Sequence, residues 1–221
     1  MSRSSTIAID GPGAVGKSAV GNLLAKKLGY RFLDTGAMYR ALTWLALKKH
    51  VNLEDEEALG ELAATTEIDL PGSETALVLV DGQDVTREIR HPDVEAGVSL
   101  VAKAAGVRQA LVVKQQRMAR GGQVVMAGRD IGTVVLPDAD LKIYLIASPE
   151  ERARRRFLEL QERGERATYA NILADLKRRD RIDSERSLSP LQPADDARVV
   201  NTDGLDLEQV VAIIYDLVGD V

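Results

Sequence analysis

The segment Thr6-Ile7-Ala8-Ile9-Asp10-Gly11-Pro12-Gly13-Ala14-Val15-Gly16-Lys17-Ser18 decides the fold. Its first five residues read as a short buried strand, and Gly11 to Gly16 as a glycine-rich turn. A helix follows from Val15 to Leu28 and stops at Gly29. The turn matches G-x-x-x-x-G-K-[ST]. Glycines let the backbone curl until its N–H groups point inward at phosphate oxygens. The helix that follows adds the positive end of its dipole. Lys17 would reach the β- and γ-phosphates, and Ser18 would offer its hydroxyl to Mg²⁺. Gly11, Pro12, Gly13, Ala14, Val15, Gly16, Lys17, Ser18 and Ala19 are therefore the expected nucleoside triphosphate site, with ATP and Mg²⁺ as its ligands.

Outward from this loop the pattern is that of a parallel α/β sheet. Tyr30 to Leu33 is a second strand, followed by helices from Thr35 to Lys49 and Glu54 to Ala64. The middle differs. Glu67 to Leu70, Ala76 to Val80 and Gln83 to Val85 read as strands, with Asp81-Gly82 as a hairpin turn. One helical stretch is expected from Pro92 to Arg120, broken by Gly121-Gly122. Strands resume at Gln123 to Ala127 and Leu141 to Ile146. Ser148-Pro149-Glu150-Glu151 reads as a capping box opening a helix to Arg163. Thr168 caps another helix to Ser184, then a strand (Arg198 to Asn201) and a helix (Asp206 to Val218) close the chain.

Composition narrows the chemistry. With 221 residues, 45% hydrophobic and 29% charged, one domain with subdomains is expected. The absence of Cys rules out disulfides and thiolate chemistry, and 2 His leave little room for a His-based metal site. A net charge of −5 argues against general nucleic-acid binding. No apolar run reaches the length of a membrane span, and the start lacks the apolar core of a signal peptide. A cytoplasmic protein is expected. The cations are uneven, 20 Arg against 9 Lys, and Arg is the better fork for phosphate.

No guanine-reading Asn/Thr-Lys-x-Asp segment is present. Gly128-Arg129-Asp130 stands at the C-terminal end of a strand, where α/β sheets bind ligands. Arg40 lies opposite the apolar stripe of Met38, Leu42 and Leu45, turned toward a ligand at the same sheet edge. Asp34 suits a helix start. Ile172, Leu176, Arg179, Asp183 and Arg186 stay within about 40° of one helical line. That stripe turns from aliphatic to charged, and buried charges need partners or ligands. Arg152, Arg155 and Arg156 share a face of the preceding helix, so a helical hairpin bearing Arg could close over triphosphate.

Together Ile9 to Ser18, Leu33-Asp34-Thr35-Gly36-Ala37-Met38-Tyr39-Arg40, Gly128 to Val135 and Arg179 to Arg186 resemble the bacterial cytidylate kinases, of the nucleoside monophosphate kinase family. The insertion between about Ala63 and Ala105 is typical of the bacterial type. The resemblance implies a P-loop kinase with a parallel-sheet core, an antiparallel insertion and a helical lid, transferring phosphoryl from ATP to CMP or dCMP. The core would span 1–34, 107–150 and 187–221, the monophosphate subdomain 35–106, and the lid 151–186. Lys17, Arg129, Arg152 and Arg156 would be catalytic. Arg40 and Arg129 would hold the CMP phosphate, while Ser99, Arg108 and Asp130 read cytosine. Arg179 and Asp183 would touch the sugar, with Arg186 beside them. Thr35 would keep the donor hydroxyl that many relatives supply from Ser. The family is usually monomeric.

Overall fold

A computed structural model describes residues 6–71, 77–185 and 188–219. From the N-terminus the elements are β1 (Thr6–Asp10), α1 (Lys17–Leu28), β2 (Arg31–Asp34), α2 (Thr35–Lys48) and α3 (Glu56–Thr65). Three short strands follow, β3 (Ile68–Asp69), β4 (Leu79–Val80) and β5 (Gln83–Asp84). Then come α4 (Pro92–Val101), α5 (Ala105–Ala119), β6 (Val124–Ala127) and β7 (Leu141–Ile146). The chain ends with α6 (Pro149–Glu162), α7 (Tyr169–Glu185), β8 (Arg198–Asn201) and α8 (Leu207–Val218).

Five strands make a parallel sheet in the order β2-β6-β1-β7-β8. Its central strands are mostly apolar, as strands covered by helices on both faces are, with Asp10 and Lys142 as buried charged exceptions. Alternate residues serve opposite cores. Ile7, Ile9, Val125 and Ile143 pack with Val20 and Leu24 of α1 and Val210, Val211 and Ile214 of α8. Ala8, Val124 and Met126 face the other way, onto Met38 and Leu42 of α2, Leu59 of α3 and Leu111 of α5. Each such fully buried Leu or Ile contributes roughly 1.5–3 kcal/mol of transfer free energy. A smaller cluster, Ala153, Leu160, Ile172 and Leu176, holds α6 against α7.

The β4–β5 hairpin pairs Val80 with Gln83 across Asp81-Gly82. Both turn residues have positive φ, 49° and 79°, the geometry a right-twisted two-residue hairpin requires. The expected long helix from Pro92 to Arg120 is instead two helices bent by 99°. Ala104 leaves the helical region at ψ 124°. No Gly or Pro marks the break; packing makes it. Val101, Ala104 and Val107 are all buried around the bend. There α5 crosses α3 so closely that a Cβ on Gly60 would lie 3.3 Å from Gly106 Cα. The capping box expected at Ser148 is half formed. Ser148 Oγ accepts from the Glu151 N–H, but the Glu151 carboxylate turns to Arg154 and Arg155. A full capping box forms at Asp206 and Gln209.

Candidate active site

The C-terminal ends of β1, β2 and β6 lie side by side, and each delivers functional residues. After β1 the chain curls through Gly11 (φ 147°) and Gly16 (φ 98°) into α1. A side chain on Gly11 would run into the Leu145 carbonyl. The N-cap of α1 is Gly16, without a side-chain acceptor, so no side chain competes for the first-turn amides. Lys17 opens that helix. Its Nζ donates to the carbonyls of Gly11 (2.8 Å) and Pro12 (2.7 Å). Burial pushes its pKa well below the ordinary lysine range, and the Arg129 guanidinium adds to this, opposed by Asp34, Asp10 and Asp183.

Asp34 ends β2 at the N-cap position of α2, yet its side chain makes no cap bond. It accepts instead from Ser18 Oγ (2.9 Å) and Arg40 (3.2 Å). Burial works against its charge, but Arg40 and the Ser18 hydrogen bond outweigh that and hold the carboxyl below its usual range. The Ser18–Asp34 oxygen pair at the foot of the loop suits a hard divalent cation. The Thr35 hydroxyl is buried and donates to the Ala127 carbonyl (2.8 Å), tying α2 to β6.

After β6 comes Gly128-Arg129-Asp130. Arg129 reaches over the phosphate loop: its Nη2 would lie 3.4 Å from a Cβ on Gly13. Its Nε donates to Asp183 (2.8 Å). Burial opposes its charge, but Asp183, Asp180 and Asp34 raise its pKa overall. Asp130 points the other way and forms a buried, short ion pair with Arg108 of α5. Arg108 also stands 5.9 Å above the Tyr39 ring. The Nε atoms of Arg40 and Arg108 are buried with no hydrogen-bond partner among the described residues. Buried donors of this kind usually have a partner or a ligand.

The hairpin of α6 and α7 supplies the remaining arginines. Arg152 is almost wholly buried and pairs bidentately with Asp180 (3.1 and 2.6 Å), while its Nη1 donates to the Gly13 carbonyl (3.0 Å). Arg156 pairs with Glu159 (2.8 Å). Arg155, expected on the same face, turns away to Thr202 beyond β8. Arg179 donates to the Glu95 carboxylate (3.2 Å) and carbonyl (2.8 Å) on α4. Burial pushes the Glu95 carboxyl upward, but Arg40, Arg179 and Arg156 around it bring it below its usual range. Ser99 is half-buried one helical turn beyond Glu95. Asp183 is buried, whereas Arg186 lies outside the described residues.

The structure thus brings Lys17, Ser18, Arg40, Arg129 and Asp183 together through Asp34, by ion pairs, a hydrogen bond and the charges acting on Lys17. Asp34 joins Ser18 and Arg40 here, although its place in the sequence suits a helix start better than a catalytic carboxylate. Asp10 and Asp180 lie inside segments that carry the family resemblance but were given no role there, and Glu95 carried no sequence signal.

Comparison with known proteins gives the family. The family model for cytidylate kinase matches residues 7–220. A cytidylate kinase of Bacillus velezensis is 49% identical over 99% of this chain and 98% of its own length. One from Pelotomaculum thermopropionicum is 51% identical, covering 94% and 93%. Among solved structures, a shikimate kinase from Bacteroides thetaiotaomicron shares the fold with a TM-score of 0.51 at 16% identity, covering 97% of this chain and 98% of that one. With near-complete coverage at about half identity, this chain belongs to the cytidylate kinase family.

Proposed function

We propose that the chain transfers the γ-phosphoryl group of ATP to CMP or dCMP, giving ADP and CDP or dCDP. One observation carries the reading beyond family membership. Arg129 and Asp130 are consecutive but have different neighbours, one the phosphate loop and the other the buried Arg108. On this reading a single turn would connect the donor phosphates to the acceptor base.

Cytosine offers an N4 amine that donates and N3 and O2 atoms that accept. Asp130 would take the N4 hydrogen, and Arg108 and Ser99 would donate to N3 or O2. Uracil reverses the pattern at O4 and N3–H and would leave buried groups unpaired, each costing about 1–3 kcal/mol. Arg40 and Arg129 would hold the acceptor phosphate, and Arg179 and Asp183 the sugar. The nucleophile is already a phosphate oxygen, so the site needs no strong base. Its work is positioning and charge neutralisation, by Lys17 at the β- and γ-phosphates and by Arg129, Arg152 and Arg156. Ser18 and Asp34 would hold Mg²⁺, which when bound neutralises phosphate charge. Residues 35–106 and 151–186 would close over the substrates and exclude water. We take the working form to be a cytoplasmic monomer acting on small molecules alone.

The test is ADP formation from Mg·ATP with CMP, dCMP, UMP, AMP or GMP supplied separately. The reading expects CMP and dCMP to stimulate far above the rest. Equal stimulation by AMP or GMP would refute the base-reading assignment.

A further inference from the structure

Asp10, the last residue of β1, is buried at 5% exposure and is not among the phosphate-loop residues. Its carboxylate does two separate things. One oxygen accepts from the Ile131 N–H and the other from the Gly132 N–H, each at 2.7 Å. These amides open the π-helical turn Ile131–Val135, and the first amides of any helix lack an internal acceptor. Immediately before them stand Arg129 and Asp130. On the other side of that dipeptide, the Gly128 N–H donates to the Ile9 carbonyl (3.0 Å). The turn is thus fastened to the end of β1 at both its ends. It also has no room to relax. A Cβ on Gly128 would lie 2.5 Å from Ile131 Cδ1 and 2.6 Å from Thr35 Oγ1, and one on Gly132 would lie 3.1 Å from the Lys142 stem.

We propose that Asp10 is a positioning residue: its carboxylate orients the Gly128–Gly132 turn and so aims Arg129 and Asp130 at the acceptor nucleotide. The proposal rests on the assignment of that turn to CMP made above. A carboxylate is the side chain that can accept two neighbouring N–H bonds at once; an amide would present one oxygen and one opposing NH₂. Burial, with Asp130 adding to it, pushes the Asp10 pKa up to about 6, against the pull of the two amides and Lys17. Tyr144 on β7 also faces it. A neutral side chain would avoid this cost of burying a charge, so what the ion contributes is orientation.

The experiment compares Asp10→Asn with wild type in KM for CMP, KM for ATP and preference for CMP over UMP. Losing one charge-assisted hydrogen bond should raise the CMP KM and erode the CMP preference about tenfold or more. The ATP KM should move little. A variant of lowered thermal stability but unchanged CMP preference and CMP KM would overturn the proposal, as would one unchanged in every respect. Should the variant not fold, NMR of the wild type decides. The Ile131 and Gly132 amide protons and the Arg129 Nε proton should move with one midpoint as pH passes through about 6. An Arg129 signal that stays still while both amides titrate would overturn it. Failure of the wild type to use CMP at all would instead sink the substrate assignment, leaving the NMR result to judge Asp10.

Discussion

Lys17 is proposed to meet the β- and γ-phosphates. It is buried at the head of α1, its charge opposed by desolvation and by Arg129. Developing charge on the transferred phosphoryl would supply the partner that burial withholds. Lys17→Ala should therefore lower kcat by about 10²–10³-fold, the scale of losing one preorganised charge donor. Steady-state kinetics at saturating substrates check this. Asp130 should behave differently. Asp130→Ala removes the partner of Arg108 and should weaken CMP more than ATP in calorimetric titrations; equal weakening would contradict a base-reading role. Asp10 offers a pH test. Its folded pKa, about 6, lies above the ordinary 3.8. A raised carboxylate pKa means the fold favours the protonated form. The stability this confers is complete below about pH 4 and is lost as pH climbs through 6, about 3 kcal/mol in all. The wild-type Tm should fall relative to that of Asp10→Asn between pH 4 and 7, as calorimetry would show. A relative rise would be incompatible with the raised pKa.

The elements of the sheet are legible in the sequence because their signals are local. Thr6 to Asp10 is a strand with the boundaries its apolar run predicts, and Asp81-Gly82 turns the hairpin it promises. The bend between α4 and α5 was not legible. Its residues, Ala102 to Ala104, carry no breaker, and the cause is a long-range packing demand of α2 and α3. The same holds at the site. Lys17 and Ser18 are announced by a motif, and Arg129 and Asp130 by their place at a strand end. The Asp34 bond to Ser18 and the Asp10 clamp depend on neighbouring strand ends meeting in space, which spacing along one chain does not reveal. Gly128 is an element-scale test of that meeting. Gly128→Ala would press a methyl against Ile131 and Thr35. Overpacking of this kind typically costs 1–3 kcal/mol, so chemical denaturation should show a lowered midpoint, with the CMP KM raised in the folded enzyme.

At the scale of the molecule, several arginines tie the α6–α7 hairpin to the rest, among them Arg155 to Thr202 and Arg129 to Asp183, and two of them contrast. Arg152, nearly unexposed, binds Asp180 within the hairpin and Gly13 in the phosphate loop. Arg179 reaches Glu95 on α4, and both side chains remain about a fifth exposed. The first contact is built into the donor site. The second joins two elements proposed to move, and a partly exposed pair of this kind contributes on the order of 1 kcal/mol. Glu95→Gln should therefore leave Tm within a few degrees while speeding amide exchange in α7, measured by hydrogen–deuterium exchange. Unchanged exchange would mean that Glu95 does not restrain the hairpin. The roles proposed for these residues converge on one event, the passage of a phosphoryl group between two nucleotides. Following the label from [γ-³²P]ATP in the presence of CMP tests that event most directly. The structure predicts label in the β-phosphate of CDP, with little inorganic phosphate. Label released mainly as inorganic phosphate, with no labelled CDP, would contradict it.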